Sequence, residues 1–175
     1  MSGRTSPKIQ PAAKGNILMS NRSIVHASFT ITRIWNASPA RVFEAFANEQ
    51  AKDKWFSGPG KWTLVSRSFD FREGGIETLA GRWESGMVTR FDCVYRDIVP
   101  PSEEGEGRII YTYNMFVDDR KISVSQASIE LKAEGKGTKF VLTEYGDYLD
   151  GYDDAGSREH GTSELMDALG KSLGG

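Results

Sequence analysis

Residues 108–132 read RIIYTYNMFVDDRKISVSQASIELK, and this stretch decides the architecture. Tyr111, Tyr113 and Met115 alternate with Thr112 and Asn114. Past Asp118-Asp119, Ser123, Ser125, Ala127, Ile129 and Leu131 share one phase. A period of two on both sides reads as a pair of strands. The turn between them is too short for a crossover, so they are antiparallel.

The same pattern extends outward. Before the hairpin, Trp62–Phe71, Ile76–Trp83 and Met87–Val99 read as strands, separated by Glu73-Gly74-Gly75 and Glu84-Ser85-Gly86. After it, Glu134-Gly135-Lys136-Gly137 turns into a strand over Thr138–Tyr145. Near the start, Val25, Ala27, Phe29 and Ile31 mark a strand over Ser23–Trp35. Ser38-Pro39 then opens a short helix with Val42, Phe43 and Phe46 on one face. A second short helix is expected over Glu49–Trp55, ended by Ser57-Gly58-Pro59-Gly60.

Gly146–Gly156 reads as a solvated acidic loop. Its aspartates lack the spacing of an EF-hand loop and the glutamate that closes one. Ser157 is the expected cap of a last helix carrying Thr162, Leu165, Met166, Leu169 and Leu173 at helical spacing. The order predicts an α+β domain over residues 23–173. It has a curved seven-stranded antiparallel sheet, two short helices and a long C-terminal helix packed on the open face. Residues 1–22 carry four basic side chains and no acid and read as a disordered extension, with Met19 the expected natural start.

Composition narrows the function. A net charge of -2 gives no pull toward nucleic acid, and no basic face is interleaved with aromatics. No apolar run reaches the roughly 18 residues that span a bilayer. The single cysteine, Cys93, permits no intrachain disulfide, which suits a cytoplasmic protein. Two distant histidines, His26 and His160, do not form a metal-ligand set with it. No P-loop, GxGxxG turn or GxSxG elbow is present, so no cofactor is expected.

Several stretches resemble one family. They are Phe29–Arg33 with Ala37-Ser38-Pro39-Ala40-Arg41-Val42-Phe43-Glu44-Ala45-Phe46, Trp55, the Phe71-Arg72-Glu73-Gly74-Gly75 turn, and Gly137–Glu144. Glu159-His160-Gly161 through Leu165 and Leu169 completes the match. Together they resemble the homologues of the C-terminal domain of the Hsp90 ATPase activator. These form a polyketide cyclase-like branch of the SRPBCC or START-like superfamily, over about residues 23–173. The resemblance implies the helix-grip fold of the birch-pollen allergens. The activator itself carries a further N-terminal domain that the short basic tail does not supply, so a chaperone of the Hsp90 type is not the expected partner. No catalytic motif of the superfamily's cyclases is matched residue by residue.

Strand phase selects the candidate site. Phe140 and Leu142 face the core, and Glu144 continues their phase. A carboxylate directed inward must be paired, hydrogen-bonded or protonated, so Glu144 is the candidate ligand anchor or general base. Arg33 shares the phase of Phe29 and Ile31 and is expected at the pocket mouth, pairing with Glu144 or a ligand anion. Phe91, Tyr95, Tyr111, Tyr113, Leu165 and Leu169 complete the expected ligand-binding set. The expected function is binding of a small apolar or aromatic molecule by a monomer or homodimer. A cyclase, dehydratase or hydrolase using Glu144 is the alternative, and a stress- or chaperone-related interaction domain is a third reading.

Overall fold

The computed structural model describes residues 22–58 and 60–174. Its elements are β1 (Ile24–Trp35), α1 (Pro39–Ala47), α2 (Glu49–Lys52), β2 (Trp62–Phe69), β3 (Ile76–Trp83), β4 (Val88–Val99), β5 (Glu106–Val117), β6 (Arg120–Glu134), β7 (Gly137–Leu149) and α3 (Ala155–Ser172). The strands form one seven-stranded sheet in the order β1-β7-β6-β5-β4-β3-β2. Every neighbouring pair is antiparallel. The expected α+β architecture is therefore the observed one. Of the expected N-terminal extension, only Arg22 falls within the described residues, and it pairs with Asp150 at 2.8 Å. Met19 lies outside them.

Sheet curvature has local causes. Register shifts leave Val65 of β2, Arg96 of β4 and Ile122 of β6 as extra residues without a partner in the ladder. Such bulges bend a strand and increase its twist. In β7 the even-numbered residues from Thr138 to Tyr148 are buried and the intervening ones are not. That alternation defines the concave face. Phe29, Ile31, Ile109, Ile129, Leu131, Phe140 and Leu142 make its apolar floor.

The helices cover this floor from two sides. Ser38 accepts a hydrogen bond from the Arg41 amide at 3.3 Å, and Pro39 occupies the first turn, as expected. Phe46 stacks on Phe140 with centroids 6.1 Å apart. Trp55 packs edge-on against Phe46, and its indole donates to the Ala45 carbonyl at 2.9 Å. At the other end, α3 buries Met166, Leu169 and Gly170. A Cβ on Gly170 would lie 2.7 Å from the Trp35 indole nitrogen, so the glycine permits the close approach of α3 to β1.

Three boundaries differ from the sequence reading by three residues or more. First, α2 ends at Lys52, where a turn swings Trp55 inward. Second, β7 continues to Leu149, because β1 and β6 supply partners on both sides: Ile24 faces Leu149 and Ser123 faces Tyr148. Third, Asp154 rather than Ser157 caps α3. Its carboxylate accepts from the Ser157 amide at 2.9 Å and from the Ser157 hydroxyl at 2.7 Å. Shortened to Asp150–Asp154, the acidic segment is not purely solvated, since Asp153 is largely buried against Arg158.

Candidate functional site: a cavity with a charged pole at each end

Between the concave face, the segment leading from α2 to β2, and α3 lies a cavity of about 480 Å³. Its walls are mostly apolar. Phe91, Tyr95, Tyr111, Tyr113, Glu144 and Leu165 all line it. Leu169 shares the α3 face but is fully buried in the core and does not reach the cavity.

Strand register arranges the polar groups in two rows. One row runs Glu77, Cys93, Tyr113, Ser125 and Gly146 from β3 to β7. The next runs Tyr95, Tyr111, Ala127, Glu144 and Phe29 from β4 to β1. Phe91 packs against Tyr113 at 4.9 Å between centroids, and Tyr111 lies 5.9 Å from Tyr113 and 6.2 Å from Tyr95. Ala127 and Ser125 place only small, buried side chains on this part of β6.

At the β7 pole, Glu144 is only 2% exposed. Its Oε1 accepts from the Tyr113 hydroxyl at 2.7 Å and lies 3.5 Å from Arg158 Nη1. The same Nη1 donates to the Tyr113 oxygen at 2.9 Å, while Nη2 donates to Ser123 at 2.8 Å and to Asp153. Arg158 also stands over the faces of Tyr113 and Tyr148, 5.7 and 5.6 Å from their centroids. Burial drives the Glu144 carboxyl above its ordinary value, and the Tyr113 hydrogen bond and Arg158 only partly offset it. Burial likewise holds Tyr111 and Tyr113 firmly as neutral phenols. It pushes the Cys93 thiol up to about 12, so that thiol is no nucleophile.

Arg33 does not take the expected place. It has the inward phase, but the β1 residue opposite Glu144 is Phe29. Arg33 sits four residues further on, roughly 13 Å along the strand. Its guanidinium bonds Asp167 at 3.0 Å and Ser163 at 2.7 Å on α3, and it does not line the cavity. Arg158 fills the role instead. One readable signal pointed to it: Arg158 lies at helical spacing from Thr162, Leu165 and Leu169, on the stripe that faces the sheet.

The opposite pole was missed in the sequence. Lys52 Nζ pairs with Glu77 at 2.5 Å and bonds the Tyr95 hydroxyl at 3.1 Å, and that hydroxyl also bonds Glu77. The rings of Phe56 and Phe69 flank the ammonium at 4.7 and 5.6 Å. Arg67 Nη2 lies 3.6 Å from Glu77, and its Nη1 pairs with Asp53. Glu77 shares the phase of Leu79 on β3, so the same reading that found Glu144 applies to it. The histidines stay at the surface. His26 pairs with Asp147 and His160 with Glu164, each with most of its side chain in solvent.

The family model described as Activator of Hsp90 ATPase homolog 1-like protein matches residues 36–174. The chain belongs to that family. Solved structures agree. An uncharacterised protein from Rhizobium leguminosarum is 39% identical, superposes with a TM-score of 0.80, and is aligned over 87% of this chain and 97% of its own. A Rhizobium loti protein is 38% identical with a TM-score of 0.76, over 86% of this chain and 99% of its own. An activator-like protein from Aeromonas hydrophila shares the fold at 14% identity, with a TM-score of 0.61 over 84% and 92% of the two chains. No curated protein matches. The helix-grip, SRPBCC-type fold is thereby established for this family member. Among the described residues, no helix is long and apolar enough to cross a membrane.

Proposed function

We propose that this family member binds a small hydrophobic or amphipathic molecule between the sheet and α3. The observation that carries the reading is the cavity itself: about 480 Å³, walled by aromatic rings, with the Glu144–Tyr113–Arg158 cluster at one end. Ligand sites of this kind occupy roughly 300–1,000 Å³ and combine apolar walls with a few convergent polar groups. The rings supply contact area, and the polar cluster orients the molecule. Rigid, hydrogen-bonded walls limit the entropy lost on binding.

Native mass spectrometry of protein isolated gently from its own host tests this reading. An excess mass of a few hundred daltons over the denatured chain is the expected result, lost in Tyr113→Ala and kept in Glu144→Gln. A bare chain mass, with no thermal shift across a library of lipids and aromatic compounds, overturns it.

A further inference from the structure

Two polar groups on the cavity wall are not fully taken up by partners. Glu144 Oε1 is held by Tyr113 and Arg158, and the Ser125 hydroxyl stands close to the carboxyl as well, which leaves Oε2 the less occupied oxygen. Glu144 lines the cavity, and Oε2 is the oxygen that Tyr113 and Arg158 do not take up. The Tyr111 hydroxyl has no partner among the described residues, and Tyr111 is half-buried on the same wall. The two residues occupy one row with only Ala127 between them. Two strand spacings separate their backbones by roughly 10 Å, and both side chains rise from the same face. A molecule in the cavity that both residues line would meet both.

We propose that the protein catalyses enolisation of a neutral ketone held in this cavity, with Glu144 Oε2 as the base and the Tyr111 hydroxyl as the donor to the carbonyl oxygen. This rests on the binding reading above and adds a reaction to it. The C–H bond beside the carbonyl breaks, and its proton forms an O–H bond on Oε2. The electron pair moves into a C=C bond, and the carbonyl π pair moves onto oxygen, where the Tyr111 O–H hydrogen bond receives the charge. Glu144 then returns the proton, to the same carbon for exchange or to a conjugated carbon for a double-bond shift. No oxidant, metal or second substrate enters the balance.

The surroundings suit this chemistry. Tyr113 and Arg158 fix the carboxylate through its other oxygen, so the base is positioned before substrate arrives. Burial raises its proton affinity, and a stronger base takes a carbon-bound proton more readily. Tyr111 stays protonated, as a donor to an oxyanion must.

The test uses the full chain with 2-indanone, 2-tetralone and phenylacetone in deuterated buffer. Proton NMR reads exchange beside the carbonyl. Fluorescence of Trp55, Trp62 and Trp83, which line the cavity, reads occupancy. The expected result is saturable exchange by the wild type. It falls about 100-fold or more in Glu144→Gln, in line with the ~10²–10⁴ contributed by a general base, and about 10-fold in Tyr111→Phe. Both isosteric variants should keep probe affinity within about threefold of wild type, the margin expected when only a transition-state contact is lost, and circular dichroism shows that they fold. Binding without accelerated exchange, or exchange that survives Glu144→Gln, overturns the activity and leaves the binding reading standing. No binding of any of the three ketones also overturns the activity, and the native mass then decides the binding reading separately.

Discussion

Arg158, in the first turn of α3, donates to the hydroxyl of Tyr113 on β5 across 2.9 Å, and Tyr113 in turn donates to Glu144. The helix start is thus tied to the cavity floor by a charge that is 90% out of solvent, with two carboxylates on it. Replacing Arg158 by Met leaves Asp153 and Glu144 without their cation. A loss of about 3 kcal/mol in urea unfolding is expected, as for other broken buried pairs. Adding Glu144→Gln should restore part of it, and strict additivity of the two changes would contradict the coupling.

The Glu144 carboxyl gives a pH signature of definite sign. Its folded-state value lies above the ordinary 4.5, chiefly through burial. An acid raised in this way supports the fold most when protonated. Its contribution is complete below the unfolded value and is lost as pH climbs from there through the folded value. Glu144→Gln cannot ionise. Its stability relative to wild type should therefore improve as pH rises from about 4.5 through the folded-state value. A stability difference that stays flat across this window would show that Glu144 titrates normally.

Lys52 and Glu77 form the other buried pair, and Glu77 has no exposure at all. Lys52→Met should destabilise by about 3 kcal/mol, because the buried carboxylate keeps only Arg67, 3.6 Å away, as a counter-charge. Lys52→Met with Glu77→Leu should recover most of that loss. Thermal and chemical denaturation of the three proteins would decide it.

Gly170 faces the Trp35 indole, where a methyl would intrude to 2.7 Å. Alanine in a helix interior normally gains about 0.5–1 kcal/mol over glycine. Here overpacking, typically about 1–3 kcal/mol, should outweigh that gain and make Gly170→Ala destabilising. Trp35→Phe in the same chain should relieve part of the strain. A stabilised single variant would mean that Trp35 shifts freely, against its packing on Phe140 at 4.9 Å.

Strand phase carried most of what the sequence could tell. Alternation around Tyr111, Tyr113 and Glu144 correctly put those side chains on the concave wall, because a bulge-free stretch of strand transmits phase without error. Phase cannot fix position along a strand, which is why Arg33 fell on the right face yet far from Glu144. Asp147 and Gly146 lowered the strand propensity of a segment that tertiary pairing nonetheless keeps extended. Lys52 was hidden for another reason: a lysine on a one-turn helix looks solvated until Glu77 and three rings are found around it.

The pairing of β1 with β7 has a kinetic consequence. The Thr30 and Thr143 hydroxyls meet at 3.1 Å although 113 residues separate them along the chain. Nothing on β1 can find its neighbour until almost the whole domain has left the ribosome. Contacts of such long sequence separation make folding slow, because loop-closure entropy is lost before the contact is gained. The strand synthesised first therefore waits longest, with Phe29 and Ile31 uncovered, and the wall bearing Glu144 closes last.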